Sequence, residues 1–198
     1  MKPNSCGVSN PVRSFAPVMP DFLIAPTSLH RLRHRLSAAG TGAAATVLQD
    51  AGFATGEALA NAWRNRIAER TGLDDAGRLD ARWFGPLLDE FCVALGWGSI
   101  SLTPVGERAI LLEAGEWAEA EPDTTESTTC HFTCGCFAAF LTAQAGGVIA
   151  VLEVECRSRR DTACRFLAGS AETLATVSDL LAAGRPWREA FTAGELPR

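Results

Sequence analysis

Three cysteines and a nearby carboxylate, spread over two distant segments, constrain the fold of this chain more than any other feature. Cys156 and Cys164 flank a short turn, and a glutamate, Glu153 or Glu155, precedes that turn on a predicted strand. A third thiol, Cys130, lies at the start of a predicted helix. Zinc binds mixed sets of thiolate sulfur and carboxylate oxygen in a tetrahedron. The spacing therefore predicts one metal site that ties a helix to a hairpin.

The residues alone leave two of the four ligand positions open. Cys134 lies one helical turn after Cys130 and could replace it, whereas Cys136 faces another direction. Glu155 has the same strand parity as Glu153, so the alternation of a strand does not choose between them.

Three histidines suggest further sites, and none is favoured. His131 beside Cys130 is typical of a Cys-His nucleophile, but neighbours on a helix point about 100° apart, which disfavours catalysis. His30 and His34 stand one helical turn apart and could bind a metal. The basic residues beside them favour an exposed or dimer-facing surface instead.

Composition limits the function classes. A chain of 198 residues, 47% of them hydrophobic, can bury one substantial core. The net charge of −5 disfavours nucleic acid as a partner. We expect a cytoplasmic protein, because no apolar run is long enough for a membrane span or a secretory signal. Seven cysteines, an odd number, favour reduced thiols and a metal over a disulfide framework.

Hydrophobic periodicity predicts the α+β class, with a mainly antiparallel sheet of two hairpins covered by helices. The predicted helices cover about 27–36, 47–70, 80–95, 130–145 and 170–181. The predicted hairpins cover 99–113 and 148–168, where the period changes to two. Thr128 or Thr129 is expected to cap the fourth helix. Gly52 and Gly56 leave a shallow strip on the second helix where another element could lie close.

Two regions are predicted to be peripheral, and a third to carry no chemistry. Residues 1–21, rich in proline, are expected to form a flexible N-terminal arm, and residues 184–198 a weakly patterned C-terminal tail. Residues 113–128 carry six acidic and no basic side chains, which indicates a solvated loop that could include a strand around Trp117. Most aromatic side chains are expected in the core, with some lining a pocket: Phe53, Trp63, Trp83, Phe84, Phe91, Trp97, Phe132, Phe137 and Phe140.

Two motifs carry a resemblance to a known family. The segment Cys130-His-Phe-Thr-Cys-Gly135 precedes Glu153-x2-Cys156-x7-Cys164-Arg-Phe166. Together they resemble the 4-vinyl reductase domain, also described as the predicted hydrocarbon-binding family. The resemblance extends over about 22–183 and implies a single zinc-binding domain.

The resemblance implies a fold, a ligand set and an assembly. The fold is that of TRAPP vesicle-tethering subunits, of aromatic-sensing regulator domains and of NO-signalling-like ligand-binding domains, which usually dimerise through helices. In such sensors the residues matching Cys130, Glu153, Cys156 and Cys164 hold a structural zinc beside a buried hydrophobic pocket. This implication alone selects Glu153 over Glu155.

The chain departs from the family pattern at one turn and in the sensor pocket. Arg160 stands where many members have glycine, so the turn must change its conformation or strain a residue with a side chain. The histidine and tryptophan that hold phenol in aromatic sensors have no secure match. The chain also contains no ATPase or helix-turn-helix segment.

A zinc ion with four protein ligands has no open position for water, so we expect it to be structural. Function is then expected in an apolar pocket that binds a hydrophobic or aromatic small molecule. The favoured hypothesis is a homodimeric sensor domain that acts through a partner protein. The alternatives are an accessory factor or enzyme of (bacterio)chlorophyll or tetrapyrrole metabolism, and a TRAPP-like scaffold. The absence of a dinucleotide-binding fingerprint disfavours a reductase.

Overall fold

A computed structural model of the chain describes residues 25–39, 43–73 and 75–192. The helices are α1 (Pro26–Ala38), α2 (Ala44–Thr71), α3 (Ala81–Ala94), α4 (His131–Ala145) and α5 (Ala171–Ala182). The strands are β1 (Ser101–Val105), β2 (Ala109–Ala114), β3 (Ala150–Glu155) and β4 (Cys164–Gly169). The predicted N-terminal arm lies outside the described residues. Within them, no helix is both long and apolar enough to cross a membrane.

The sheet confirms the predicted α+β class. Its strand order is β1-β2-β4-β3, and every neighbouring pair is antiparallel. The two predicted hairpins are therefore joined into one sheet by the β2–β4 pair, in which Leu112 lies opposite Phe166.

Local sequence signals account for three of the helix ends. The Asp80 carboxylate accepts a hydrogen bond from the Arg82 N–H at the start of α3, and the Ser170 hydroxyl accepts one from the Thr173 N–H at the start of α5. Gly146 ends α4 with φ of 65°, a conformation that glycine adopts at little cost. These predicted boundaries are confirmed.

Among the described helices, α2 and α4 pack most closely. A methyl group on Gly135 would overlap the backbone carbonyl oxygen of Gln49, and one on Gly52 would overlap that of Phe132. The predicted strip of small residues on α2 is confirmed, and α4 is the element that lies along it.

The sheet separates two cores. On one face, α2, α3 and α4 bury an aromatic cluster in which the Trp63 ring meets Phe84 and Phe91 edge-to-face at 5.5 Å. On the other face, α5 and a 3-10 helix at Trp187–Phe191 cover β3 and β4. This short helix lies in the segment that the sequence assigned to the tail.

Most of these aromatic side chains lie in the core as expected, but two are exposed, and the strand suggested around Trp117 does not form. The side chains of Phe53 and Trp83 are 54% and 52% exposed. In α3 the buried residues are Leu88, Phe91 and Cys92, because a helix with 3.6 residues per turn drifts away from a strict spacing of four. Trp117 lies in an irregular segment, although its ring is buried.

Candidate metal centre

The structure brings the four residues of the proposed site together at the junction of α4 with the β3–β4 hairpin. One potential ligand atom from each of Cys130, Glu153, Cys156 and Cys164 lies within 4.8 Å of the others. All four side chains are buried. We call this set the cysteine-glutamate cluster, and it could hold a metal ion.

The spacing of the sulfur atoms fits a tetrahedral ion. Two sulfurs that each lie about 2.3 Å from a tetrahedral zinc are separated by roughly 3.8 Å. The Cys130 Sγ lies 3.9 Å from the Cys156 Sγ and 4.0 Å from the Cys164 Sγ. A disulfide would need sulfurs about 2.05 Å apart, so these are free thiols.

The carboxylate of Glu153 has one oxygen in a hydrogen bond and one without a partner. Its Oε2 accepts a bond from the Cys130 N–H at 2.8 Å, at the start of α4. Its Oε1 is buried and has no hydrogen-bond partner among the described residues. A buried carboxylate oxygen without a partner is costly, and a metal ion would satisfy it. The residues present therefore fit a metal.

A β-bulge places Glu153 in the cluster and Glu155 elsewhere. The pairing of β3 with β4 shifts register between these two residues. The bulge breaks the strict alternation of the strand, so shared parity no longer puts both carboxylates on one face. Glu155 instead accepts hydrogen bonds from Arg165 and from the Trp187 indole at 2.8 Å, on the opposite face of the sheet.

Polar groups around the cluster fix its thiols in place. The Thr129 hydroxyl is hydrogen-bonded to the Cys156 sulfur at 3.6 Å and to the Ser158 hydroxyl at 2.8 Å. Asp161 accepts a bond from the Cys156 N–H at 2.7 Å and another from Arg159. Thr129 therefore orients a thiol. The prediction that Thr128 or Thr129 caps α4 is wrong, because Cys130 occupies the N-cap position.

The electrostatics of the cluster favour a cation. Burial, followed by the neighbouring thiols of Cys156 and Cys164, raises the pKa of Cys130 well above its ordinary value. Burial and the charge of Cys156 raise the pKa of Glu153 to about 9. Bonds from the Cys130 and Cys164 thiols lower the pKa of Cys156. Several negative charges can coexist here only with a positive ion among them, and binding that ion would release protons.

The other sequence candidates lie outside the cluster. Cys134 and Cys136 are buried thiols that do not join it. The buried Cys130 sulfur lies in the cysteine-glutamate cluster, 3.9 Å from the Cys156 sulfur and 4.0 Å from the Cys164 sulfur, which disfavours a Cys-His nucleophile with His131. The His30 Nδ1 lies 3.6 Å from the Glu121 carboxylate, and the His34 Nε2 lies 2.9 Å from it. Both histidines therefore contact a carboxylate instead of forming a metal site of their own.

Sequence reasoning missed the role of Glu119, which it assigned to a solvated loop. This side chain is only 3% exposed. Its carboxylate accepts bonds from the N–H groups of Phe132 and Thr133, at 3.0 and 2.8 Å, and from the Thr133 hydroxyl at 2.6 Å. Glu119 therefore caps α4. A side-chain cap normally comes from the residue beside the helix. Because Glu119 lies thirteen residues before Phe132, no local sequence pattern indicated that it caps α4.

Glu119 should make stability depend on pH. Burial raises its pKa from 4.5 to about 7, so between these values the folded chain holds a proton that the unfolded chain has lost. Stability from this group is therefore greatest at low pH and is lost as pH rises towards 7. From pH 5.5 to 8, the free energy of unfolding of the native chain should fall by about 2 kcal/mol relative to Glu119→Gln.

Urea unfolding of both proteins across this pH range measures that difference. Glu126→Gln, which changes an exposed acid of the same segment, is the control and should follow the native chain. Parallel curves for the native chain and Glu119→Gln would show that this carboxyl does not titrate between pH 5.5 and 8.

The turn between Cys156 and Cys164 carries the strain that its sequence predicts. Arg160 has φ of 70°, in the left-handed region that favours glycine, and its side chain is exposed. For a residue with a Cβ, this left-handed conformation costs about 1–2 kcal/mol of stability. The turn therefore has a conformation that suits glycine, although residue 160 is an arginine.

Arg160→Gly should stabilise the protein by about 0.5–1 kcal/mol, since relief of strain exceeds the extra entropy that glycine gives the unfolded chain. Arg160→Ala removes the same side chain but keeps the Cβ, so its unfolding free energy should stay within about 0.5 kcal/mol of the native value. Urea midpoints distinguish the two. An equal effect of both substitutions would assign the change to the guanidinium group instead.

No family model matches the chain, and no curated protein matches it in sequence. Solved structures, however, match the chain in fold. The phenol-responsive sensory domain of the transcription activator PoxR, solved with phenol, matches with a TM-score of 0.56 at 15% identity over 83% of each chain. Trafficking protein particle complex subunit 3 from Naegleria fowleri, covalently bound to palmitic acid, matches with a TM-score of 0.56 at 13% identity, over 73% of this chain and 91% of its own.

A vinyl-4-reductase family protein from Methanocaldococcus jannaschii also matches, with a TM-score of 0.44 at 15% identity, over 61% of this chain and 66% of its own. The PoxR sensory domain and the TRAPP subunit come from two of the groups that the sequence motifs pointed to. The chain shares its α+β fold with the PoxR sensory domain and with the TRAPP subunit.

Proposed function

We propose that this chain is a small-molecule-binding domain whose fold is held together by a structural zinc ion. The observation that carries the proposal is the buried cysteine-glutamate cluster, with its tetrahedral sulfur spacing and the unpartnered Oε1 of Glu153. Three thiolates and one carboxylate suit zinc by ligand type and number. When bound, the ion supplies Lewis-acid bonds that tie the start of α4 to the β3–β4 hairpin.

The closed ligand set argues for a structural ion. Four protein ligands fill the tetrahedron, so water has no position from which it could be activated. The hydrogen bonds of Thr129 and Asp161 hold the ligands from outside, as expected for a fixed centre. Function is then assigned to the apolar interior, where the rings of Trp97, Trp117 and Phe137 pack on one another.

The shared fold supports a hydrophobic or aromatic ligand. One structural neighbour is a phenol-responsive sensory domain and another carries palmitic acid, so this fold accommodates apolar guests of two shapes. We propose a homodimeric sensor that signals through a partner protein. The likeness to a TRAPP subunit supports a second candidate, a scaffold that binds other proteins.

Native mass spectrometry of freshly purified protein tests both candidates. The sensor requires one zinc per chain, and its melting temperature should rise with an aromatic or lipid-like compound. A scaffold would keep the zinc, show no response to such compounds and copurify with a protein. A chain that carries no zinc and responds to no small molecule would contradict the proposed function.

A further inference from the structure

A small, partly open cavity lies between α1 and the start of α4. Its volume is about 10 Å³, roughly the space of one water molecule. Its lining includes Leu29 from α1, the rings of Trp97, Trp117 and Phe132, and two polar side chains, Glu119 and Thr133, together with Pro26 and Ala118. The walls are therefore apolar and mostly aromatic, with one carboxylate at the polar end.

All the hydrogen-bond donors at the polar end are already used. The Trp117 indole N–H donates to the Thr133 hydroxyl at 2.8 Å, and that hydroxyl donates to Glu119. The Glu119 carboxylate can accept about four bonds, and the protein supplies three. A guest in this cavity must therefore bring a donor, because the unfilled capacity belongs to an acceptor.

The partners of the Glu119 carboxylate are neutral groups. Among the described residues, the nearby guanidinium of Arg33 bonds the carboxylate of Glu121 and the backbone oxygen of Glu119, at 3.2 Å for the latter. Glu119 has no ion pair within this part of the chain. Burial raises the pKa of Glu119 to about 7 even though the charge of Arg33 lowers it, and a cation in direct contact with the carboxylate would lower that cost further.

We propose that this cavity, opened by a shift of α1, binds a single-ring aromatic amine as its ammonium form. The proposal rests on the proposed ligand-binding function and names the ligand class and its place. The ammonium group donates to Glu119, and the ring packs against Trp97, Trp117 and Phe132. Aromatic faces beside a carboxylate are the surroundings that attract organic cations in proteins.

The wall formed by α1 must move, since a cavity that holds benzene has about 150 Å³. The polar contacts that hold α1 here all go to 118–121. His30 donates to the Ala118 carbonyl at 3.0 Å, Arg33 bonds the Glu119 carbonyl and the Glu121 carboxylate, and His34 donates to Glu121 at 2.9 Å. A shift of α1 away from this single segment would remove Leu29 from the cavity and admit the ring.

Calorimetric titration with benzylamine and with benzyl alcohol tests the proposal in the zinc-loaded protein at pH 8. The two compounds match in shape and differ in charge. Benzylamine should bind at least ten times more tightly than benzyl alcohol, and Glu119→Gln should reduce this ratio to near one. Glu126→Gln, at an exposed site in the same segment, should leave the ratio unchanged.

Two further measurements keep the test independent of the folding of Glu119→Gln. Benzylamine should shift the indole N–H resonances of Trp97 and Trp117 in the native chain, and Leu29→Ala, which removes the side chain that must otherwise leave the cavity, should strengthen its binding. Equal or weaker binding of benzylamine relative to the alcohol would overturn the proposal, and so would binding that leaves these resonances unmoved. Either result leaves the proposed function standing if the protein holds zinc and responds to another apolar compound.

Discussion

Cys156→Ser is expected to remove the bound zinc and to lower the melting temperature by about 6–12 °C. A structural zinc contributes on the order of 10 kcal/mol in small zinc domains. This chain keeps a large core, so we expect a loss of at least about 3 kcal/mol, and each kcal/mol shifts the midpoint of a chain of this size by about 2–4 °C. Zinc content by elemental analysis and thermal unfolding by circular dichroism measure the two effects.

Cys134→Ala is the matched control. Cys134 is a buried thiol of α4, one turn after Cys130, and it lies outside the cysteine-glutamate cluster. The control should keep one zinc per chain and lose only the small packing energy of one sulfur atom. Zinc lost from Cys134→Ala and retained by Cys156→Ser would show that the ion sits elsewhere.

Gly135→Ala is expected to have the second large effect, because it separates two helices. The new methyl group would overlap the Gln49 carbonyl oxygen and approach the Phe53 N–H, both parts of the α2 backbone. Backbone atoms cannot rotate away as a side chain can, so α2 must move off α4. We expect a loss of at least about 3 kcal/mol in the free energy of unfolding, measured by urea denaturation.

Gly147→Ala provides the comparison. Gly147 follows α4, is exposed, and has nothing within 4 Å of the position that a Cβ would take. Its substitution should change the free energy of unfolding by less than about 0.5 kcal/mol. Similar effects at both positions would mean that α2 does not pack on α4 through Gly135.

Short-range patterns predicted the fold and the location of the cysteine-glutamate cluster. The change of period from helix to strand gave the two hairpins, and spacing alone placed Cys156 and Cys164 on either side of one turn. Neighbouring residues could also indicate the strained turn at Arg160. Each of these features depends on residues that lie close together in the chain.

Features that depend on tertiary contacts were not predictable in the same way. The choice of Glu153 over Glu155 depends on a β-bulge, which alternation cannot reveal. Glu119 resembles its solvated acidic neighbours in sequence, and only the approach of α4 buries it. The packing of Trp187 likewise depends on a carboxylate from β3 that lies 32 residues earlier.

X-ray absorption at the zinc edge of the purified protein tests the central claim most directly. The account predicts one zinc per chain with three sulfur neighbours at about 2.3 Å and one oxygen neighbour at about 2.0–2.2 Å. The same spectrum from Glu153→Ala should keep the three sulfurs and replace the protein oxygen with water. A first shell with two or fewer sulfurs in the native protein would contradict the assignment of Cys130, Cys156 and Cys164 as ligands of one ion.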